Sequence, residues 1–175
     1  ETSKIKEYQS KPHHYTPEQH KEVGIFSDKE FLDAFKFTFV RNPFDRVVSE
    51  YHNVVDSSAS DISFNEFVCL LEKVVLGKKY YKWNGAIQPN HLIPQHLYVF
   101  DKNRNILVDY IGRFEHFEEN IKQIFEELGL ERPEQIPKIG AASSRRDYRD
   151  YYDSEAKEII ERVYTIDLEL FEYAF

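Results

Sequence analysis

The junction between one strand and the helix that follows it constrains the fold of this chain most. Residues 35–40 alternate aromatic with polar side chains and end in Val40, a composition and length that predict a strand. Asn42 and Pro43 then break the strand and open a helix. Its apolar residues have helical spacing and are Phe44, Val47, Val48 and Tyr51. A strand that leads directly into a one-sided helix indicates an α/β layer arrangement.

The rest of the sequence predicts further helices and two short strands. Thr16 and Ser63 each stand three positions before a Gln or Glu, the pattern of a helix start, and Gly24 indicates the end of the first helix. Apolar spacing predicts helices over 116–128 and about 154–164, whereas short strands are predicted at 96–100 and 106–111 around a turn at 101–105. We therefore expect one α/β domain over residues 1–175.

Composition excludes several classes of protein. A net charge of -8 and a pI near 5.4 argue against a nucleic-acid binder, because attraction to phosphates needs a positive field. A single cysteine, Cys69, excludes an internal disulfide and a cysteine zinc site. No apolar run approaches the ~20 residues of a membrane-spanning helix. His91 and His96 lack a second cysteine or tight carboxylate spacing, so no structural metal is predicted.

Two further observations lead us to expect that upstream sequence is missing. The chain contains no methionine and begins at Glu1. Only about three strands are visible, which is few for a sheet covered by helices. An additional N-terminal strand is therefore expected to precede these residues.

The strand-to-helix junction is also a candidate anion site. Arg41 lies where the first N–H groups of the helix and its dipole favour a bound anion, and its guanidinium can donate two hydrogen bonds to a phosphate. Ser49 points away from the apolar face and is available to the same ligand. The alternative interpretation is that Arg41 pairs with a carboxylate, Ser49 is a surface hydroxyl, and Arg46 pairs with Glu50 one turn on.

The same residues carry a family resemblance. Residues 37–51 resemble the 3'-phosphate-binding segment of the carbohydrate sulfotransferases (sulfotransferase family 2), which use 3'-phosphoadenosine 5'-phosphosulfate (PAPS). Other pieces agree in order along the chain. They are His14-Tyr15-Thr16, similar to the histidine loop of the family, Pro94-Gln95-His96-Leu97-Tyr98, and the segments 110–115 and 164–173.

The resemblance implies a PAPS-dependent sulfotransferase that moves a sulfuryl group to a hydroxyl of a carbohydrate acceptor. It implies a P-loop-NTPase-like sandwich with a mainly parallel central sheet and flanking helices. Arg41 and Ser49 are then expected to hold the 3'-phosphate, with Arg46 helping to orient it. The lysine-containing 5'-phosphosulfate loop of the family is absent from these residues and is expected upstream, so the 175-residue chain alone is expected to bind the bisphosphate product without transferring the sulfuryl group.

Other residues are assigned roles by the same resemblance. His14, with His13 as second choice, is expected to act as the base for the acceptor hydroxyl, a role that suits imidazole; both can also be solvated histidines. Gln95 is expected either to contact acceptor or cofactor or to serve a cap or turn. Independently of the resemblance, Arg145 and Arg146 stand in a dense basic cluster of an acidic chain, the loop 143–149, which is expected either to close over the nucleotide or to pair with acidic helices.

Two interpretations of function compete with the leading one. A P-loop kinase also binds an adenine nucleotide at an α/β anion site, although the spacing of Arg41 and Ser49 favours sulfotransfer. A nucleotide- or glycan-binding relative without catalysis is the second.

Two further expectations concern structure and compartment. Arg113 and Glu115 are expected to form a structural ion pair. For compartment, one cysteine and an acidic pI favour a bacterial cytoplasm over a Golgi lumen.

Overall fold

A computed structural model describes residues 14–58, 61–77, 89–132, 134, 136 and 146–175. The helices are α1 Pro17–Val23, α2 Asp28–Asp33, α3 Pro43–Ser58, α4 Phe64–Leu76, α5 His96–Val99, α6 Phe117–Glu127, α7 Ser154–Val163 and α8 Thr165–Leu170. The strands are β1 Phe37–Val40 and β2 Tyr110–Arg113, and short 3-10 turns cover Pro89–Leu92, Phe114–His116 and Tyr148–Tyr151.

The two strands lie side by side and run parallel. β1 pairs with β2 in a register that sets Phe39 opposite Gly112 and Val40 opposite Arg113. Gly112 is needed for this close approach, because a Cβ atom there would lie 2.6 Å from the Phe39 ring. The described residues therefore form a mixed helix and strand structure with a small parallel sheet, in agreement with the predicted α/β class.

Helix starts agree with the capping patterns in the sequence. The hydroxyl of Thr16 accepts from the backbone of Gln19, whose side chain accepts in return, and Gly24 ends α1 with a φ of 69°. Ser63 and Glu66 form the same reciprocal cap before α4. The short helix α2 was not predicted, although Ser27 and Glu30 repeat the pattern.

The strand predicted at 96–100 is wrong. His96–Val99 forms the helix α5, because the buried carboxylate of Asp167 accepts hydrogen bonds from the backbone N–H groups of Gln95 and His96, at 2.6 and 2.9 Å, and so caps a helix start. The turn at 101–105 is present, with Phe100 bridged to Ile106. The second strand begins later than predicted, at Tyr110.

The core lies between α3, α4 and α7. Val48, Phe67, Leu71 and Ile160 are fully buried there. The predicted apolar face of α3 thus lies against this core together with the buried residues of α4, which leaves the opposite side of α3 available for other contacts. In the part of the chain that the structure describes, no helix has the length and apolar character to cross a membrane.

Candidate functional site

A cavity of about 470 Å³ lies beside the junction of β1 and α3. Its walls come from four separate parts of the chain: the end of β1, the solvent side of α3, the segment around residues 91–98 and the residues just before α1. The lining residues are His14, Thr38, Phe39, Arg41, Arg46, Ser49, Glu50, His91, Gln95 and Tyr98. Five predicted site residues therefore meet at one cavity: His14, Arg41, Arg46, Ser49 and Gln95.

The backbone of Arg41 is held by the side chain of Gln95. The Arg41 N–H donates to Oε1 of Gln95, and Nε2 of Gln95 donates to the Arg41 carbonyl, both at 2.8 Å. Gln95 is buried, and its own N–H donates to Asp167. The side-chain amide of Gln95 thus fixes the peptide unit that carries Arg41. This contact corresponds to the cap or turn role that is expected from the sequence as the alternative for Gln95.

The guanidinium of Arg41 is fixed on one edge and one face. Its Nε donates to Asp45 at 2.6 Å, and the group lies over the Phe114 ring at 4.6 Å. Pairing with a carboxylate is what the alternative interpretation of Arg41 expected. This pairing uses Nε alone, so the two terminal nitrogens have no hydrogen bond to any residue in the described ranges and are available to an anion.

The start of α3 is tied to distant parts of the chain. The Asn42 N–H donates to Glu115 at 2.7 Å, and the Asn42 side chain both accepts from Phe44 N–H and donates to the carbonyl of Ala174. Glu115 also accepts from the Tyr173 hydroxyl at 2.8 Å. Burial raises the pKa of Tyr173, and the Glu115 carboxylate raises it further, so this hydroxyl remains a donor.

Arg113 and Glu115 do not form the ion pair expected from the sequence. Arg113 donates to the carbonyl of Phe171 at 2.7 Å, whereas Glu115 accepts from Asn42 and Tyr173. Both side chains therefore connect the sheet to the C-terminal segment instead of to each other.

Ser49 and Arg46 continue the site along α3. Ser49 is half-buried, and its hydroxyl has no hydrogen bond to the residues described. Arg46 donates to the backbone carbonyl of His91 at 2.5 Å. The Arg46–Glu50 pair expected under the alternative interpretation does not form, because Glu50 contacts His91 instead.

The cavity lining also includes two histidines and a carboxylate. His14 lies against His91, with ring centroids 4.8 Å apart, and the His14 carbonyl accepts from the Tyr98 hydroxyl at 3.1 Å. His91 Nδ1 lies 3.1 Å from a carboxylate oxygen of Glu50. Sequence reasoning treated His91 only as a possible metal ligand and missed Glu50 as a site residue, since nothing in their spacing indicates that the fold brings them together.

Of the other three predicted site residues, the structure describes only Arg146. His13 and Arg145 are outside the described residues. Arg146 lies over the Tyr151 ring at 5.0 Å, and the Tyr151 hydroxyl contacts His52 at 2.8 Å. Arg146 is therefore not among the residues that line the cavity.

The cavity lining combines donors that can bind an anion with nitrogens that can accept a proton. The lining residues offer guanidinium and hydroxyl donors, together with imidazole nitrogens of which one, on His91, contacts a carboxylate. Over the described ranges, no group of three or more His, Cys, Asp or Glu side chains is arranged to hold a metal ion.

Comparisons with known proteins bear on this arrangement. The model of the sulfotransferase family matches residues 1–174. A protein of Archaeoglobus fulgidus, named only as an uncharacterized protein, is 30% identical over 111 residues, which is 62% of this chain and 78% of that protein. No solved structure matches the chain.

Proposed function

The chain belongs to the sulfotransferase family, and from this premise we propose that it transfers a sulfuryl group from PAPS to a hydroxyl of a carbohydrate acceptor. The observation that carries the proposal is the meeting of Arg41 and Ser49, eight positions apart, at one cavity beside the start of α3. We also propose that the small parallel sheet is part of a P-loop-like sandwich, which the parallel pairing of β1 and β2 supports.

The residues present suit the 3'-phosphate of PAPS. The terminal nitrogens of Arg41 are charged donors matched in spacing to phosphate oxygens, and the Ser49 hydroxyl adds a neutral donor. Gln95, Asp45 and Phe114 hold Arg41 from its backbone, its Nε and its face. A donor fixed in advance loses less entropy when the anion binds.

The sulfuryl end of the donor needs groups that these lining residues do not include. No lysine is among them. We propose that this end is bound outside the described ranges, with an upstream strand-to-helix loop as the expected source. When bound, PAPS supplies the sulfuryl group that the acceptor oxygen receives, and the bisphosphate leaves with the electron pair of the broken sulfur–oxygen bond.

We assign the acceptor proton to His14. The acceptor hydroxyl gives its proton to a ring nitrogen of His14 as its oxygen forms the new bond to sulfur. Two observations support this assignment: His14 lines the same cavity as Arg41 and Ser49, and its backbone is held by Tyr98. His13 is the second choice.

The experiment is transfer of labelled sulfur from PAPS to a carbohydrate acceptor by the full reading frame. We expect labelled acceptor from the wild type and a strong loss with Arg41→Ala. Binding of adenosine 3',5'-bisphosphate without any transfer would support a non-catalytic relative instead. Transfer of the terminal phosphate of ATP would support a kinase. Either result would overturn the proposed function.

A further inference from the structure

Glu50, His91 and His14 form a row of three side chains along one wall of the cavity. Glu50 Oε2 lies 3.1 Å from His91 Nδ1, and Oε1 lies 3.2 Å from the same atom. The His91 ring then lies against the His14 ring at a centroid distance of 4.8 Å and a tilt of 50°. The row runs from a nearly buried carboxylate, with 11% of its side chain exposed, to the histidine at the start of the described chain.

The contacts of Glu50 and His91 fix the middle of this row. Asn53 adds a longer hydrogen bond to Glu50, at 3.4 Å, and Arg46 donates to the His91 carbonyl. Because a carboxylate can only accept, the Nδ1–H group of His91 donates a hydrogen bond to Glu50. This bond fixes the tautomer and the orientation of the His91 ring. A fixed ring provides a surface that limits how the neighbouring His14 ring can turn.

The row also places the negative charge of Glu50 next to His91, whose ring contacts His14, the histidine that gains a proton. When His14 accepts the acceptor proton, a positive charge appears at its ring. The other charged and titratable groups that line the same cavity include Arg41, Arg46 and His91, all potential cations. Glu50 is the carboxylate of that lining, and its negative charge, mostly buried and beside the His91 ring that contacts His14, favours the imidazolium of His14.

We propose that His91 and Glu50 are positioning residues for the His14 base. His91 sets the orientation of the His14 ring, and Glu50 both fixes His91 and stabilises the positive charge that His14 acquires. This inference rests on the proposed function, because it takes the role of His14 from it. It differs from that function in naming two residues that neither the sequence pattern nor the family match assigns.

The first test measures His14 without requiring turnover. Nitrogen-labelled histidine in the 175-residue chain reports the pH at which each imidazole titrates. Removing the Glu50 charge with Glu50→Gln should lower the pH midpoint of His14, since the protonated ring loses a nearby anion. Glu119→Gln is the matched control, because that carboxylate is 79% exposed and lies on α6. An unchanged His14 midpoint in Glu50→Gln would overturn the proposal.

The second test uses the full reading frame and separates positioning from folding. We expect Glu50→Gln and His91→Phe to lower kcat about tenfold or more, less than the roughly 100-fold or more typical of losing the base itself, with bisphosphate affinity unchanged within about twofold. In Glu50→Gln the acid limb of the kcat profile should move to lower pH. A variant that fails to bind the bisphosphate has lost its fold, and the outcome is then decided by the other variant. Full turnover in both would overturn the proposal.

The two tests also distinguish this inference from the proposed function. If the wild type transfers no sulfur, the proposed function fails, whereas the titration of His14 still decides whether Glu50 acts on it. If the wild type is active and the His14 midpoint is the same in Glu50→Gln, the inference fails alone.

Discussion

The two walls of the cavity are built in different ways. The anion wall, with Arg41, Arg46 and Ser49, comes from one strand end and the first turns of one helix. The proton wall, with His14, Glu50 and His91, brings together three segments that are far apart in the sequence. A site on one continuous segment has its spacing set by local structure, whereas a site assembled from several segments depends on tertiary packing.

The walls also differ in how they are held. The backbone around Arg41 is tied by hydrogen bonds with the side chains of Gln95, Glu115 and Tyr173. The proton wall is held by the contact between the His14 and His91 rings, by the Glu50 carboxylate, and by hydrogen bonds from Tyr98, Asn53 and Arg46. None of the three side chains that hold the backbone around Arg41 belongs to the proton wall. We therefore expect anion binding to survive changes on the proton wall.

The largest effect is expected on the anion wall itself. Arg41→Ala removes the charged donor and should cost about 2 to 4 kcal/mol of adenosine 3',5'-bisphosphate binding, if charge-assisted hydrogen bonds form in a partly dehydrated site. Calorimetry measures the difference. Arg132→Ala, at an exposed arginine beyond α6, is the control and should bind as the wild type does. Equal affinity in Arg41→Ala would show that the anion wall does not bind the nucleotide.

The second effect is expected on the proton wall. His14→Ala in the full reading frame should lower turnover roughly 100-fold or more, with bisphosphate affinity nearly unchanged, because a base that touches only the acceptor does not hold the nucleotide. The rate of the wild type should fall below about pH 6.5 as imidazole protonates. His116→Ala, a largely exposed histidine, serves as the comparison. An active His14→Ala with a flat pH profile would move the base to another group.

A third prediction concerns Asp167, which caps the start of α5. This segment carries Gln95, which holds Arg41, and Tyr98, which holds His14. Asp167 is fully buried and accepts from Gln95 N–H, His96 N–H and His96 Nδ1. Asp167→Ala leaves these donors unpaired and should lower the free energy of unfolding by about 2 to 3 kcal/mol. Denaturant unfolding measures it, beside the exposed Asp33→Ala. A loss below about 0.5 kcal/mol, the usual range for surface changes, would show that the cap is dispensable.

A fourth prediction uses the close approach of the strands. Gly112→Ala puts a methyl group against the Phe39 ring, which itself lines the cavity. The ring must shift, so we expect a loss of about 1 to 2 kcal/mol in stability and weaker bisphosphate binding. Gly112 does not have a positive φ, so its loss comes from the contact with Phe39, whereas Gly129→Ala, with open space around it and a φ of 63°, measures backbone strain without such a contact. Unchanged stability and binding in Gly112→Ala would mean that Phe39 moves without consequence.

The smallest effect concerns pH and the segment that carries His14. Burial lowers the pKa of His20 on α1, and its Nδ1 has no hydrogen-bond partner among the described residues. The unfolded chain therefore binds a proton at higher pH than the folded chain does. Stability should be full above about pH 6.5 and fall as the pH drops below it. His20→Gln should weaken that dependence, as measured by thermal unfolding at several pH values; an identical pH dependence in the variant would assign it to other groups.

The sequence predicted what is local and missed what is tertiary. Helix starts at Thr16 and Ser63, the strand before Arg41 and the apolar face of α3 follow from neighbouring residues. The helix at His96 was predicted as a strand because its cap, Asp167, is 71 positions away. Glu50 has no distinguishing pattern around it, and only the fold places it against His91. The strand-to-helix junction indicated Arg41 and the resemblance supplied the family, while only the structure shows which residues hold Arg41.

The central claim is that Arg41 and Ser49 recognise a 3'-phosphate, and a binding cycle tests it most directly. Adenosine 3',5'-bisphosphate and adenosine 5'-monophosphate differ only in that group, so calorimetry with both ligands on the wild type, Arg41→Ala and Ser49→Ala isolates its contribution. We predict that the wild type prefers the bisphosphate by about 2 kcal/mol or more, that Arg41→Ala loses most of this preference, and that Ser49→Ala loses a smaller part. An equal preference for the bisphosphate in all three proteins would contradict the claim.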